Sequence, residues 1–317
     1  MEKQITFRTY TEVDYEAVCD FLIDLNRADK THINWNWARF EWMAEHPDFD
    51  KSLTGAIGLW TDEERIVGAA IYDMYFGEAF CGALPEYDYL YPEILDYAWA
   101  NLKDEEGLGI AACDENAKEI EALKAKGFAP EEQTENIMKI GLDGAFPVCL
   151  PDGFHLEELD PGEDIQGFQW LLWQGFDHGE DRAAFEKEEA PDSKARKHFR
   201  KALSLAAAGP DKEKAAYGCL WYHEGTDYAY VEPVCTVPSH RGKGLAKAII
   251  YEALSRVRDL GAKEAYVISD MDFYAKLGFC STYHYTFYRK KLSPEEEAAA
   301  GKALSSYYDC QPAASML

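Results

Sequence analysis

What the chain lacks narrows it first. No run approaches eighteen consecutive apolar residues, so no segment is expected to cross a membrane as a helix. The opening MEKQITFRTY has none of the apolar core that a secretory leader carries, and a cytoplasmic chain is expected. Eight cysteines, at 19, 81, 113, 149, 219, 235, 280 and 310, never fall as CxxC. That argues against zinc and a disulfide framework and for reduced thiols, and no metal site is expected. Basic residues are scarce: 32 Lys and Arg face 58 Asp and Glu, a net charge of −26. The imbalance is uneven, with 12 basic against 31 acidic side chains in residues 1–150, a net −19. Such a chain is poorly suited to nucleic acid, where phosphate neutralisation dominates affinity. It would steer a cationic small molecule, although most charge of this kind only keeps a surface solvated. At 317 residues, two domains are expected, each long enough to bury its own core.

The stretch 228–250, YAYVEPVCTVPSHRGKGLAKAII, organises what is there. Tyr228–Val237 is rich in β-branched and aromatic residues and reads as a strand, with Pro233 its one discordant member. Pro238 ends the ladder because it has no N–H to give. After the turn Ser239–Gly244 the pattern becomes helical, with Ala246, Ile249, Ala253, Val257 and Leu260 on one face and Gly261 as the stop. A strand feeding a basic, glycine-containing turn that opens a helix is a phosphate-binding arrangement, since the first helical N–H groups are unpartnered and the dipole end is positive. Two familiar glycine loops do not fit. GxxxxGK[ST] is absent, and in GxGxxG the third glycine would fall on Lys247. What does fit is RxxGxA, at Arg241, Gly244 and Ala246, directly after Val237-Pro238. Downstream, AYVIS (265–269) reads as a short buried strand, and DFYAKLGF (272–279) sets Tyr274 four residues before Gly278-Phe279. The two motifs, in this order, resemble the acetyl-CoA loop and the closing motif of the GNAT N-acetyltransferase superfamily. The resemblance covers roughly residues 150–292.

That resemblance implies an α+β (mixed α/β) fold with a mostly antiparallel central sheet flanked by helices. It implies acetyl-CoA as co-substrate, with Cys235, Thr236 and Val237 along the pantetheine arm and the backbone of Arg241, Gly242, Lys243, Gly244, Leu245 and Ala246 around the pyrophosphate. Ser269 and Phe273 complete the cofactor set. Tyr274 matches the tyrosine that faces the CoA sulfur, and Glu232 matches a glutamate that draws a proton from the amine. A charged residue in an apolar strand has a use there, since burial would raise its pKa. The strands are expected to splay beside Cys235–Val237, letting a backbone N–H polarise the thioester. Trp173, Asp177 and His178 fall on the acceptor side, the last two as reserve bases. Cys235 has no His or Asp at a recognisable spacing and reads as a buried thiol rather than an acyl carrier.

The first half repeats the second in outline. A hairpin is expected from Gly55–Trp60 and Ile66–Tyr75, then a strand to Leu84, a helix over 92–102, a strand at 108–112 and a helix over 115–126 closed by Gly127-Phe128. Placing Leu84-Pro85 on Val237-Pro238 sets Asp88 on Arg241, Tyr91 on Gly244 and Glu93 on Ala246. Placing Gly127 on Gly278 sets Leu123 on Tyr274. An acid would repel pyrophosphate and a tyrosine would fill the space that glycine leaves. Two tandem GNAT-like domains are therefore expected: a degenerate one at 1–145, a linker at 146–153, a catalytic one at 154–292, and a terminal helix and tail at 293–317. Lys187–Ala208 reads as a charged helix. The aromatic stretch Trp35–Phe49 reads as core or interface packing in preference to the wall of an acceptor pocket. The expected activity is transfer of acetyl directly from the thioester to a primary amine, a small cationic one or a protein amine. The alternative is a non-catalytic CoA- or acyl-CoA-binding or sensing protein, and charge disfavours aminoacyl transfer from tRNA. The acyl length, the acceptor and the oligomeric state stay open.

Overall fold

The computed structural model describes residues 4–44, 46, 49–186 and 197–296. Strand β1 (Ile5–Thr9) leads into helices α1 (Tyr15–Ala28) and α2 (Trp37–Ala44). Strands β2 (Gly58–Asp62), β3 (Arg65–Tyr72) and β4 (Ala79–Ala83) precede α3 (Tyr91–Asn101). Then come β5 (Leu108–Cys113), α4 (Ala117–Ala125) and the long β6 (Ala129–Gly141). The second half runs β7 (His155–Glu158), α5 (Ile165–Gly175), α6 (Arg182–Phe185), β8 (Ser204–Ala208) and β9 (Lys214–Tyr222). It finishes with β10 (Tyr228–Thr236), α7 (Leu245–Asp259), β11 (Glu264–Ile268), α8 (Asp272–Lys276) and β12 (Cys280–Lys290).

Two compact units share these elements, and neither is one continuous stretch. One draws on Met1–Phe21, Asp50–Thr134 and Tyr285–Leu317, the other on Leu22–Phe49 and Glu135–His284. The sequence reading expects successive domains joined at 146–153; residues 142–154 do lack strand and helix, but the compact units interleave along the chain. In the first unit β1, β2, β3 and β4 form an antiparallel sheet in that order, with α3 packed on β3 and β4, and β5 pairs with residues Tyr285–Lys290 of β12.

In the second unit the strand order is β7-β8-β9-β10-β11-β6, with β6 contributing Ile137–Gly141. Every neighbouring pair is antiparallel except β10 with β11. Helix α7 lays Leu245, Ile249, Ala253 and Val257 onto one face, the stripe its sequence spacing requires. It lies close: a Cβ on Gly218 of β9 would meet Ile249 Cγ2 at 2.8 Å. The alternate residues Tyr217, Trp221, Tyr228 and Tyr230 are also buried, and α5 and α2 pack on these strands.

The structure departs from the sequence reading at two strands and agrees with it at the start of the terminal helix. Ser204–Ala208, read as the end of a helix, is the fully buried strand β8; in SLAAA the helix preference of alanine gives way to two-sided burial and pairing with β7 and β9. Residues 187–196 of that expected helix lie outside the described residues. Strand β6 has no counterpart in the sequence reading, because APEEQTEN offers no alternation, a proline, and Thr134 as its one β-branched residue. The terminal helix begins as expected: Ser293 N–H donates to Glu296 Oε2 and Glu296 N–H to Ser293 Oγ, a capping box, and its continuation lies outside the described residues. No helix among the described residues is long and apolar enough to span a membrane, and no disulfide joins the seven described cysteines.

Candidate active site

Strand β10 pairs with β11 only from Tyr228↔Glu264 to Tyr230↔Tyr266. Beyond Tyr230 the two parallel strands part, while β11 stays paired with β6 through Ile268. On its other edge β10 keeps to β9 but breaks register between Val231↔Leu220 and Val234↔Gly218, so Glu232 and Pro233 together oppose Cys219. This is a β-bulge, a device that re-aims side chains at functional sites. Proline suits it, since an unpaired bulge residue has no ladder bond to donate. The expected splay is thus present, with the bulge beside it.

The turn after β10 has the geometry of an anion cradle. Gly242 and Gly244 have φ of 76° and 80°, left-handed values that glycine adopts freely. A Cβ at either would meet nothing within 4 Å, so these glycines are required by backbone conformation and not by protein packing. Gly244 opens α7 with no side-chain cap, leaving the N–H groups of Leu245 and Ala246 at the positive end of a fifteen-residue helix. Those residues fit a pyrophosphate. Lys243 is exposed, with Nζ 3.2 Å from His240 Nδ1. Arg241 has a different placement: it donates from Nε to Thr236 O, and from a terminal nitrogen to Gly175 O and to Asp177 Oδ2 at 2.8 Å. It braces the turn against the end of β10 and the end of α5.

Helix α5 ends in a reciprocal turn that places two of the expected acceptor residues. Asp177 takes φ 64°, its N–H bonds Gln174 O, and His178 N–H bonds Trp173 O. Asp177 is thereby held against Arg241, and the exposed His178 leans on the Trp173 ring with centroids 5.0 Å apart. Trp173 Nε1 is buried without a hydrogen-bond partner. Gly175 lies on Cys235, where a Cβ would come within 2.5 Å of Sγ. Burial raises the Cys235 thiol to about 12, which suits a packed side chain and not a nucleophile. Thr236 pairs with Ala216, and Val237 N–H donates to Ala215 O.

The spacing of Tyr274, Gly278 and Phe279 has a physical cause. Helix α8 ends with Gly278 at φ 98°; Gly278 N–H bonds Ala275 O and Phe279 N–H bonds Tyr274 O. That is a Schellman ending, whose hydrophobic contact is supplied by the Tyr274 and Phe279 rings, 5.6 Å apart. Tyr274 is buried, and burial together with the charge of Glu232 holds its phenol well above the ordinary value. Phe273 packs edge-on against it. Ser269 is tied to Asn136, its N–H donating to Asn136 O and its carbonyl accepting from Asn136 Nδ2.

Glu232 is half-buried, and the protein mass around it, opposed by the positive charge of Arg39, raises its carboxyl to about 7. The charge of Glu232 helps to raise the phenols of Tyr230 and Tyr274, so the two expected catalytic residues lie within electrostatic reach of each other. Sequence reasoning did not assign Arg39, Glu135 or Trp221 to this site. Arg39, on α2, pairs with Glu135 Oε1 at 2.7 Å and donates to Asn34 O. Trp221 Nε1–H donates to Glu232 O at 2.7 Å. The one available signal was a single cation among tryptophans, WNWARFEW.

Comparison with known proteins agrees with this geometry. The model of the acetyltransferase (GNAT) family matches residues 165–279. A solved structure described as a tandem GNAT protein from the clavulanic acid biosynthesis pathway aligns over 92% of this chain and 99% of its own, at TM-score 0.60 and 15% identity. A GCN5-related N-acetyltransferase from Sphaerobacter thermophilus aligns over 92% and 96%, at TM-score 0.52 and 15% identity. An N-myristoyltransferase from Saccharomyces cerevisiae aligns over 93% and 84%, at 0.52 and 14%. No curated protein matches the chain in sequence. At these identities the likenesses speak to fold, and the GNAT fold supports acyl transfer from CoA in general. Residues 165–279 thus carry a match to the acetyltransferase (GNAT) family, within a mixed α/β chain that shares its fold with a tandem GNAT protein.

Proposed function

We propose that the protein is an acetyl-CoA-dependent N-acetyltransferase whose acceptor is a small, cationic primary amine. The observation that carries this reading is the parting of β10 from β11 beyond Tyr230, with a half-buried carboxylate raised to about 7 on β10 and a buried phenol within its electrostatic reach. Acetyl-CoA would supply the activated acyl group; the backbone of Gly242–Ala246 would hold its pyrophosphate, and the unpaired edge of β10 from Val231 onward its pantetheine arm. Glu232, ionised above about pH 7, takes the proton that the ammonium form of the acceptor must lose before it can attack. Tyr274 is better suited to donating a hydrogen bond toward the departing sulfur than to giving up its proton. Its phenol is held further above a thiol's pKa than an ordinary tyrosine's ~10 already is, so full transfer would run uphill. The net charge of −26 favours encounter with a cationic acceptor. Asp177, held on Arg241, supports that turn more directly than it could receive the amine. Release of CoA thiol, followed over a panel of a polyamine, an arylalkylamine, an amino-acid amide and a lysine peptide, tests the proposal. Turnover with one of them, reduced about tenfold in Tyr274→Phe with acetyl-CoA binding kept, is expected. Thermal stabilisation by acetyl-CoA without turnover of any amine would favour a CoA-binding protein instead.

A further inference from the structure

The bulge that re-aims Glu232 leaves a backbone carbonyl that the ladder cannot serve. Two residues of β10 stand against the single Cys219 of β9, and the register resumes only at Val234↔Gly218. A buried carbonyl without a donor is costly, so bulges at working sites need an outside partner. Here the partner is a side chain. Trp221 sits on β9 opposite Tyr230, one pair before the break, and its indole N–H reaches Glu232 O at 2.7 Å. The ring is 2% exposed and is braced edge-on by Trp37 of α2, at 6.4 Å and 80° between planes. An indole so confined has little rotational freedom, and the bond it makes fixes the backbone from which the Glu232 side chain departs.

We propose that Trp221 is the positioning residue for Glu232, its indole N–H replacing the ladder bond removed by the bulge and so setting where the carboxylate points. The proposal rests on the reading of Glu232 as the base. The charged and titratable groups coupled to that carboxylate are Arg39 from α2, Tyr230 from β10 itself and Tyr274 from α8, with Glu135 of β6 paired to Arg39.

The test is a double-mutant cycle in the full chain, run with the amine of the panel that releases thiol fastest. Trp221→Phe is expected to lower kcat/KM for the amine about tenfold, and Glu232→Gln at least a hundredfold, with acetyl-CoA binding kept in both. The double variant should be no slower than Glu232→Gln alone, because a positioning group has nothing left to position. Losses that multiply would make Trp221 a packing residue and overturn the proposal. Should Trp221→Phe fold poorly, the benzothienyl analogue of tryptophan keeps the bicyclic shape, exchanges the N–H for sulfur, and is expected to show the same loss. A carboxyl NMR titration, assigned against Glu232→Gln, needs neither acceptor nor turnover. Loss of the indole N–H should move the Glu232 midpoint down by about one unit as water reaches a looser carboxylate, and an unmoved midpoint overturns the proposal. Full turnover by Glu232→Gln together with a shifted midpoint would instead sink the base reading while leaving the positioning intact.

Discussion

Glu232 joins a gain in rate to a loss in stability through one proton. Its carboxyl is raised from 4.5 to about 7 because burial disfavours the charge, and the positive Arg39 offsets only part of that. In the unfolded chain the group titrates near the ordinary value, so between about pH 4.5 and 7 the folded state holds a proton that the unfolded state has released. Unfolding therefore releases a proton in that window, and stability falls as pH rises through it and levels off above about 7. The full shift corresponds to about 3 kcal/mol at most. Glu232→Gln, which cannot ionise, should melt at a higher temperature than the wild type at pH 8 and at nearly the same temperature at pH 4. Over the same window kcat/KM of the wild type should climb tenfold per unit and flatten above about 7, while the variant stays low and flat. Melts and rates recorded on the same samples check both halves. A wild-type melting curve indifferent to Gln at pH 8 would show that the carboxylate is better solvated than its surroundings suggest.

At the scale of elements, the legible parts of the chain were those in which a backbone requirement shows as a residue type. Gly242 and Gly244 announce left-handed backbone, Pro238 the end of β10, and the Tyr274, Gly278, Phe279 spacing a Schellman ending. The same ending recurs in the first unit, where Gly127 takes φ 87°, Gly127 N–H bonds Lys124 O and Phe128 N–H bonds Leu123 O. The repeat read from spacing is thus a repeat of helix endings, with Leu123 where the phenol would be. Elements specified by long-range burial were not legible: β8 wrote itself in alanine, and β6 in acids and amides. The two kinds of glycine respond to substitution differently. Gly244→Ala imposes a left-handed conformation on an L residue, a cost of about 1–2 kcal/mol, and puts a methyl group where the cradle opens. Acetyl-CoA should then raise the melting temperature less than in the wild type. Gly218→Ala drives a methyl group into Ile249 and should cost about 1–3 kcal/mol by overpacking, yet leave the acetyl-CoA-induced shift intact. Differential scanning fluorimetry with and without acetyl-CoA separates the two, and an unchanged shift in Gly244→Ala would remove the loop from the cofactor site.

Across the whole molecule, the second unit takes one of its helices from the beginning of the chain. Residues of Leu22–Phe49 belong with Glu135–His284, and α2 is the part that reaches β10. From it Trp37 packs against Trp221, His198 and His223, with ring centroids between 5.5 and 6.4 Å apart. Glu41, buried, accepts from His198 N–H at 2.9 Å and lies 2.6 Å from its Nδ1, while Arg39 pairs with Glu135. The aromatic stretch was read as packing, and it is packing, but it also carries the cation that acts on Glu232. A chain of residues 146–317, which the two-successive-domain reading would treat as a complete catalytic half, lacks Trp37, Arg39, Glu41 and Glu135. It also lacks β6, whose Ile137–Gly141 pairs with β11. Exposing the surface under one large aromatic forfeits about 4–6 kcal/mol at ~25 cal/mol per Å², before the buried carboxylate and the lost strand are counted, against a stability of about 5–15 kcal/mol for a whole domain. That shorter chain is expected to show no cooperative melt and no stabilisation by acetyl-CoA. Addition of a second chain carrying residues 1–145 should restore both if the segments find their places. Circular dichroism melts of the two pieces, apart and mixed, decide the matter: a 146–317 chain that melts cooperatively and binds acetyl-CoA alone would mean that α2 and β6 only cover a unit already complete without them.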